Sequence, residues 1–536
     1  MSAGGAIATT LRDGIVLWPV AIPLAGAAVA ALAPPTIRRG IMEAAVALMV
    51  IASIALLAVA SGGDTPGMAF GGWETPFGIR FVGDLLGASL CAAAGIVALA
   101  VAVYARADIR GRRRRRGFDP LFLGMLAAVN GAFLTGDLFN LYVWFELMLV
   151  AAIGLLTIDR RRAQIDGAFR YAAMSVMGAT FMLVGIALLY GEAGTLDLAH
   201  LSATLAAGEP SVVRTVAAYL LLTGFMLKAG LFPLFFWLPA SYHTAPISVA
   251  AALAGLLTKV AFYACLRVSV TVFGVGTEAP MVAGLPALFA FLAAATMLVS
   301  VLAAIGQVDL RRVLAFHVVG QVAYLVTGLA LASWLGAAAA VFYTVHTMLV
   351  QTGLFLGAGA IARVSRGYDL RVVGGMMRHH PGFSMLFAAL TLSISGIPPL
   401  SGFWAKALVI DAAFREGGPA SIGLAVVALT AGFLTLYSMS IVWTRAFWRP
   451  AHRENGTGRR IPPAMIAAVA ILAASTVTLG LAVEPAVRLS RAAAAQLTPA
   501  GRSLEGMPPP RAALREGADA GPFSDVAPPL RAGGAP

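Results

Sequence analysis

The sequence predicts an all-α integral membrane protein of about fourteen transmembrane helices, with two inverted five-helix repeats that each contain a broken helix. Three observations carry this expectation. Hydrophobic residues make up 59% of the 536-residue chain and charged residues only 12%, about half the charged share of a soluble protein. The apolar residues fall into runs of roughly 18–25, the length that crosses a hydrocarbon core. Two of these runs are interrupted by proline at corresponding places, five spans apart.

The expected spans are 15–33, 41–60, 84–105, 119–135, 136–157, 168–190, 212–232, 246–268, 282–305, 313–332, 335–360, 383–414, 420–447 and 461–483. Basic clusters follow spans 1 (Arg38, Arg39), 3 (106–116), 5 (Arg160 to Arg162), 9 (Arg311, Arg312), 11 (Arg363 to Arg378) and 13 (Arg445 to Arg460). Every cluster follows an odd-numbered span, whereas the connectors 61–83 and 191–211 carry acids and few bases. This parity is the positive-inside pattern and puts both termini on the outer side of a cell (inner) membrane. It also accounts for the net charge of +13 and the run RADIRGRRRRRGF at 106–118. That run is a short connector between two apolar spans, so nucleic acid is not an expected partner.

The first three spans form an N-terminal segment, 1–118. The proposed units are 119–268 (spans 4–8) and 282–447 (spans 9–13), followed by the last span at 461–483. The stretch 484–536, rich in Pro, Gly and Ala with nearly balanced charge, is expected to be a disordered tail. TLDLAHLSATL at 195–205 reads either as a short amphipathic helix in the interface or as a packed loop. The N-terminus lacks a basic n-region, so the first apolar stretch is expected to remain as a helix.

The breaks are KAGLFPLFFWLP at 228–239 and SGIPPLSGFWAK at 395–406. Pro233 and the pair Pro398-Pro399 remove backbone donors and interrupt the helix. Freed backbone is tolerated at that depth only where protein or water satisfies it. Broken helices at matching places in two halves point to a midplane transport site.

Charge use is strongly partitioned. Of the 38 basic residues only Lys228, Lys259 and Lys406 are lysines, and all three lie within apolar spans, while nearly all the arginines occupy connectors or the tail. Arginine stays protonated in proteins, whereas a buried lysine can exchange its proton. Among the carboxylates, Glu146 lies in the middle of LFNLYVWFELMLVAAIGLL. An ionised group at that depth calls for a cationic partner, and Lys228 on the broken span of the same unit is the expected one. Asp137 lies nearer the membrane edge, and Asp411 reads either as an outer exit or as an interfacial acid.

The histidines divide by position. His379, His380 and His452 lie in connectors, and His200 is expected at the interface. His243 beside the first break either caps a helix or joins a water path. His346 in span 11 sits between the halves and suits a proton relay, and His317 lies near the start of span 10. Cys91 and Cys265 both fall in apolar spans, against a disulfide framework or metal site. No nucleotide-binding glycine motif, zinc-ligand spacing, haem signature or nucleophilic constellation occurs. No cofactor, metal or enzymatic chemistry is expected.

TGDLFNLYVWFELM (135–148), GLFPLFFWLPASYHTAPISVAALAGLLTKVAFYACLR (230–267) and SGIPPLSGFWAKALVI (395–410) together resemble the D-type subunit of the Mrp-type multisubunit cation/proton antiporters. That type of subunit is related to the antiporter-like subunits of respiratory complex I and of membrane-bound hydrogenases. The resemblance runs from about residue 80 to 450, and LYSMSIVWTRAFW at 436–448 fits the Mrp branch better. It implies a subunit of a monovalent cation (Na+)/proton antiporter within a hetero-oligomer of other membrane subunits, the alternative being a proton-pumping subunit of a redox-driven complex. It further implies that Glu146, Lys228, Lys259 and Lys406 belong to a hydrated chain through which protons move. The family pattern in span 11 is a histidine pair, or Thr-His, followed by a lysine. Here His346 is followed by Thr347 and Gln351, so the second histidine and the lysine are missing. Similarly, Val318 and Gly320 stand where the family usually has serines. The link between halves is then left to His346 and ordered water, so that either the chain conducts through a wetter link or it is a divergent paralogue with weakened coupling, and a lysine at position 351 is expected to be accommodated.

Overall fold

A computed structural model of the chain describes residues 13–71, 73, 78–277, 280–450 and 460–497. It is almost wholly helical. The N-terminal segment supplies α1 (Trp18–Leu32), α2 (Arg38–Ser61) and α3 (Leu85–Asp108). The acidic connector after α2 contains a small departure from the all-α expectation, an antiparallel hairpin of β1 (Gly67–Ala69) and β2 (Arg80–Val82) in which Met68 faces Phe81. Next come α4 (Phe118–Leu134), α5 (Leu138–Leu156), α6 (Arg162–Ala193), the short α7 (Leu198–Ala207), α8 (Val212–Ala229), α9 (Trp237–Tyr242) and α10 (Ile247–Arg267). The second half carries α11 (Leu285–Ile305), α12 (Leu310–Ala330), α13 (Trp334–Ser365), α14 (Pro381–Ser395), α15 (Ser401–Glu416) and α16 (Pro419–Trp443). α17 (Pro463–Leu481) and α18 (Val483–Ala495) close the described chain.

Among the described residues, twelve helical segments are long and apolar enough to cross a membrane. α8 and α9 count as one of them, because the helix resumes directly after the first break. The expected span 119–135 is the seventeen-residue α4, and the expected span 383–414 is divided between α14 and α15.

The chain repeats one arrangement of backbone and caps. Asp137 caps α5 by accepting the Asn140 N–H, and Asp309 caps α12 by accepting the Arg311 N–H. Asp137 pairs as an isolated antiparallel bridge with Asp197, and Asp309 pairs in the same way with Asp369. The flanking bonds match as well. Leu138 N–H donates to Leu196 O and Leu198 N–H to Gly136 O, while Leu310 N–H donates to Tyr368 O and Leu370 N–H to Val308 O.

The two breaks are built alike. α8 ends at Gly230 with φ +81° and α14 ends at Gly396 with φ +88°. Each glycine N–H donates to two carbonyls of the preceding turn, Met226 and Leu227 in one case, Leu392 and Ser393 in the other. This left-handed helix end favours glycine because no Cβ is present to clash. The prolines follow at the same spacing, Pro233 and Pro399, both in cis peptides. The freed backbone is met from neighbouring elements: Phe232 N–H donates to Thr296 Oγ1 of α11 at 3.0 Å, and Trp237 Nε1–H to Leu227 O at 3.2 Å. At the second break, Gly402 N–H donates to Ser393 Oγ at 3.3 Å and Trp404 Nε1–H to Gly480 O at 3.0 Å.

Two helices are enclosed by the rest. α10 is buried from Ile247 to Leu266, and α13 packs against α3, α10, α12, α14, α15, α17 and α18. They meet closely, because a Cβ on Gly255 would collide with Thr352 Oγ1 and one on Gly359 would lie 2.7 Å from the Ile247 side chain. Small residues at such a crossing let helices approach in an apolar medium.

The expected tail differs at its start. Residues 483–495 form α18, which turns Val483, Val487, Ser490 and Ala492 to Ala495 into the protein and packs on α13. Its end is tied down, with Leu85 N–H donating to Gln496 Oε1 at 2.8 Å and Thr271 Oγ1–H to Leu497 O at 2.8 Å. The remainder of that tail, and His452, lie outside the described residues. TLDLAHLSATL forms a helix, α7, capped by Asp197, with Leu198, Leu201 and Leu205 buried.

Candidate functional site

Lys228 occupies the last turn of α8, just before the break. Its Nζ lies 3.9 Å from Glu146 Oε1 on α5 and 5.3 Å from the Phe145 ring centroid. The expected pair is therefore brought together. The lysine is buried, whereas the Glu146 side chain is 34% exposed, on the α5 face that also carries Phe139, Val143 and Val150.

Lys259, on the next long helix, is completely buried in α10. Its Nζ–H donates to Ala254 O at 2.7 Å and to Gln351 Oε1 of α13. Gln351 is thus no bystander at the place where the family pattern has a lysine; it supplies the acceptor that a lysine could not. Its amide nitrogen, also buried, has no partner among the described residues. Thr347 is turned back onto its own helix, donating to Thr344 O at 2.9 Å.

His346, earlier on α13 than Gln351, shares a 2.8 Å hydrogen bond between Nδ1 and Ser401 Oγ. It stands edge-on to the Tyr343 ring, which stacks on Tyr324 with centroids 5.3 Å apart. Gly402 brings α15 this close, because a Cβ there would collide with Ser393 O and lie 2.9 Å from His346 Cε1. Lys406 follows on α15, after its break rather than before it. Its Nζ–H donates to Ser395 O at 3.0 Å and lies 5.4 Å from the Tyr324 ring centroid. Lys406 also lines a groove of about 400 Å³ between α15 and α16, with Asp411, Phe414 and Phe433 at its sides.

The accessory candidates separate by geometry. Asp137 is spent on capping α5, and Asp411 pairs with Arg415 one turn on, at 2.9 Å. His243 is held from both nitrogens: Arg312 Nη2–H donates to Nε2 at 3.2 Å, so Nδ1 carries the proton donated to Pro239 O at 2.7 Å. That is the capping arrangement. His317 is buried and bonds Ser438 Oγ at 3.0 Å, linking α12 to α16. His200 and His379 are exposed. Among the described residues, no three His, Cys, Asp or Glu side chains converge as a metal site.

Sequence reasoning overlooked the hydroxyls around His346, namely Ser393, Ser401 and Thr476, and the stacked Tyr324 and Tyr343. One signal was a polar cluster, Ser475, Thr476 and Thr478, in the otherwise apolar last span.

Ionisable and hydroxyl groups, buried from Lys228 onward, thus stand at the first break, on α10 and α13, and at the second break. Buried ionisable groups in a membrane protein mark a candidate ion or proton path. Known proteins are similar to this chain in sequence and fold. The sequence profile described as NADH:quinone oxidoreductase/Mrp antiporter, TM, matches residues 135–435. The chain is 36% identical to the D-type subunit of the Na(+)/H(+) antiporter of Alkalihalophilus pseudofirmus over 90% of its own length and 97% of the relative's. It superposes on a chain of the Mrp complex of Dietzia sp. with TM-score 0.82 and 31% identity, covering 91% of this chain and 98% of that one. A chain of respiratory complex I of Thermus thermophilus gives TM-score 0.70 and 25% identity, covering 89% and 99%. By profile, identity and fold, the chain belongs to the membrane family of NADH:quinone oxidoreductase and Mrp antiporter subunits.

Proposed function

We propose that the chain is the proton-carrying D-type subunit of a Na+/H+ antiporter, assembled with other membrane subunits in a bacterial cell membrane with both termini on the outer side. The relatives named as D-type antiporter subunits, and the Mrp complex neighbour, support this over membership of a redox-driven complex, to which the likeness is lower. The protons travel along Glu146, Lys228, Lys259, His346 and Lys406. Gln351 holds Lys259, and the segments 119–268 and 282–447 are the two inverted units that carry the axis.

The observation that carries this reading is the Glu146–Lys228 contact at 3.9 Å with two further lysines buried downstream. Isolated charges in the membrane interior are costly. A lysine kept there next to a movable carboxylate partner binds a proton when the pair is closed and releases it when the pair opens. Loss of Na+-driven proton movement in Lys228→Ala and Glu146→Ala, with the complex still assembled, is the expected result in everted vesicles. Wild-type rates in both variants would refute the reading.

A further inference from the structure

The hydrogen bond from His346 leads into a group of three hydroxyls. Ser401 Oγ lies 2.8 Å from His346 Nδ1 and 2.5 Å from Thr476 Oγ1, and Thr476 Oγ1 lies 2.7 Å from Ser393 Oγ. Ser393 and Ser401 approach to 3.4 Å. All four side chains are essentially inaccessible. Three different helices contribute, α14, α15 and α17, and α17 lies outside both five-helix units.

Hydroxyls in membrane helices commonly bond back to the carbonyl one turn earlier, as Thr352, Thr435 and Ser440 do here. Ser393, Ser401 and Thr476 bond one another instead. Each hydroxyl both donates and accepts, and either partner can be the donor in each hydroxyl pair. A chain of this kind can reverse direction without moving a heavy atom.

We propose that Ser401, Thr476 and Ser393 form a hydroxyl relay that carries protons between His346 and the Lys406 end of the axis, with Thr476 supplied by the last membrane helix. The proposal rests on the axis described above and supplies the step between His346 and Lys406. A proton arriving at His346 Nε2 displaces the Nδ1 proton onto Ser401 Oγ. The proton of Ser401 passes to Thr476, and that of Thr476 to Ser393. Ser393 hands its own proton through water to the neutral amine of Lys406, whose Nζ already reaches Ser395 O, two residues from Ser393. Each hydroxyl ends with one proton and a reversed hydrogen bond, His346 is again neutral, and Lys406 has gained the proton. Rotation of the hydroxyls and exchange of the imidazole tautomer reset the relay.

The test uses the whole antiporter complex in everted vesicles, with Na+-driven pH change followed by a pH-sensitive dye and assembly measured by co-purification of the partner subunits. Thr476→Val keeps shape and removes the hydroxyl, and Ser401→Ala breaks the first link. Both are expected to slow antiport at least about tenfold with assembly intact, and Thr476→Ser is expected to restore it. Wild-type rates in Thr476→Val and Ser401→Ala, beside an inactive Lys228→Ala, would overturn the relay and leave the axis standing. Wild-type rates in Lys228→Ala would overturn the axis itself. A loss in Thr476→Val that Thr476→Ser fails to restore would assign Thr476 to packing, and so overturn the relay. If Thr476→Val does not assemble, Ser401→Ala decides by the same criterion.

Discussion

Replacing Gln351 by lysine restores the residue type that the family resemblance leads one to expect in span 11, yet the structure predicts that the change is harmful. Gln351 Oε1 accepts a hydrogen bond from Lys259 Nζ, and both side chains are buried. A lysine at 351 removes that acceptor and brings a second amine into the same space. Two like charges about 4 Å apart repel by about 4 kcal/mol at the effective dielectric suited to protein sites. The pair would therefore hold one positive charge instead of two, and the lost acceptor costs Lys259 roughly 1.5–3 kcal/mol in its charged form. Gln351→Leu separates the two effects, because it removes the acceptor and adds no charge. In everted vesicles with assembly verified, Gln351→Lys is expected to slow antiport by at least about tenfold, and Gln351→Leu by a smaller factor. A Gln351→Lys complex with the wild-type rate and the wild-type pH profile would refute the assignment of Gln351 as the partner of Lys259.

Two further outcomes follow from close contacts elsewhere. Gly402→Ala would press a methyl group into Ser393 O and the His346 ring; overpacking of this kind costs roughly 1–3 kcal/mol. A lower melting temperature in detergent and slower antiport are expected, against no change if α15 can shift freely. In the connector between α5 and α6, Asp159 is held below the ordinary carboxylate range chiefly by the hydrogen bond from Arg113, which also bridges to Asp108. A depressed carboxyl contributes stability above its unfolded value, about 3.9, and loses it as pH falls through the lower folded value. The melting temperature is therefore expected to fall more steeply below about pH 4 in the wild type than in Asp159→Asn. Parallel curves would contradict this.

Much of this architecture was legible because each signal was local in the chain. Apolar run length marks a span, proline marks a break, and a lysine among arginines marks a buried amine, so Lys228, Lys259 and Lys406 stood out without any three-dimensional information. Glu146 could be matched with Lys228 because an acid in mid-span requires a cation. What escaped depended on how helices cross. The Lys259–Gln351 bond exists because Gly255 and Gly359 let α10 and α13 approach, and nothing in the sequence near 351 announces that contact. Ser393, Ser401 and Thr476 look like any other membrane hydroxyls until three helices bring them together. The pairing of Asp411 with Arg415 was visible as an i, i+4 spacing on one helix and could have separated Asp411 from the exit candidates. Composition misled at 484–497, where the alanines and Pro485 resemble a tail, while Val483, Val487, Ser490 and Ala494 recur at helical spacing and bury one face.

If the buried lysines work by taking up and releasing protons, Lys228→Arg is the decisive substitution. Arginine keeps the positive charge opposite Glu146 but stays protonated in proteins. With the reconstituted complex in liposomes and Na+-driven proton flux read by an internal pH dye, Lys228→Arg is expected to assemble normally and to lose antiport as completely as Lys228→Ala. Flux at the wild-type rate in Lys228→Arg would show that a fixed charge is sufficient, and would contradict proton exchange at this lysine.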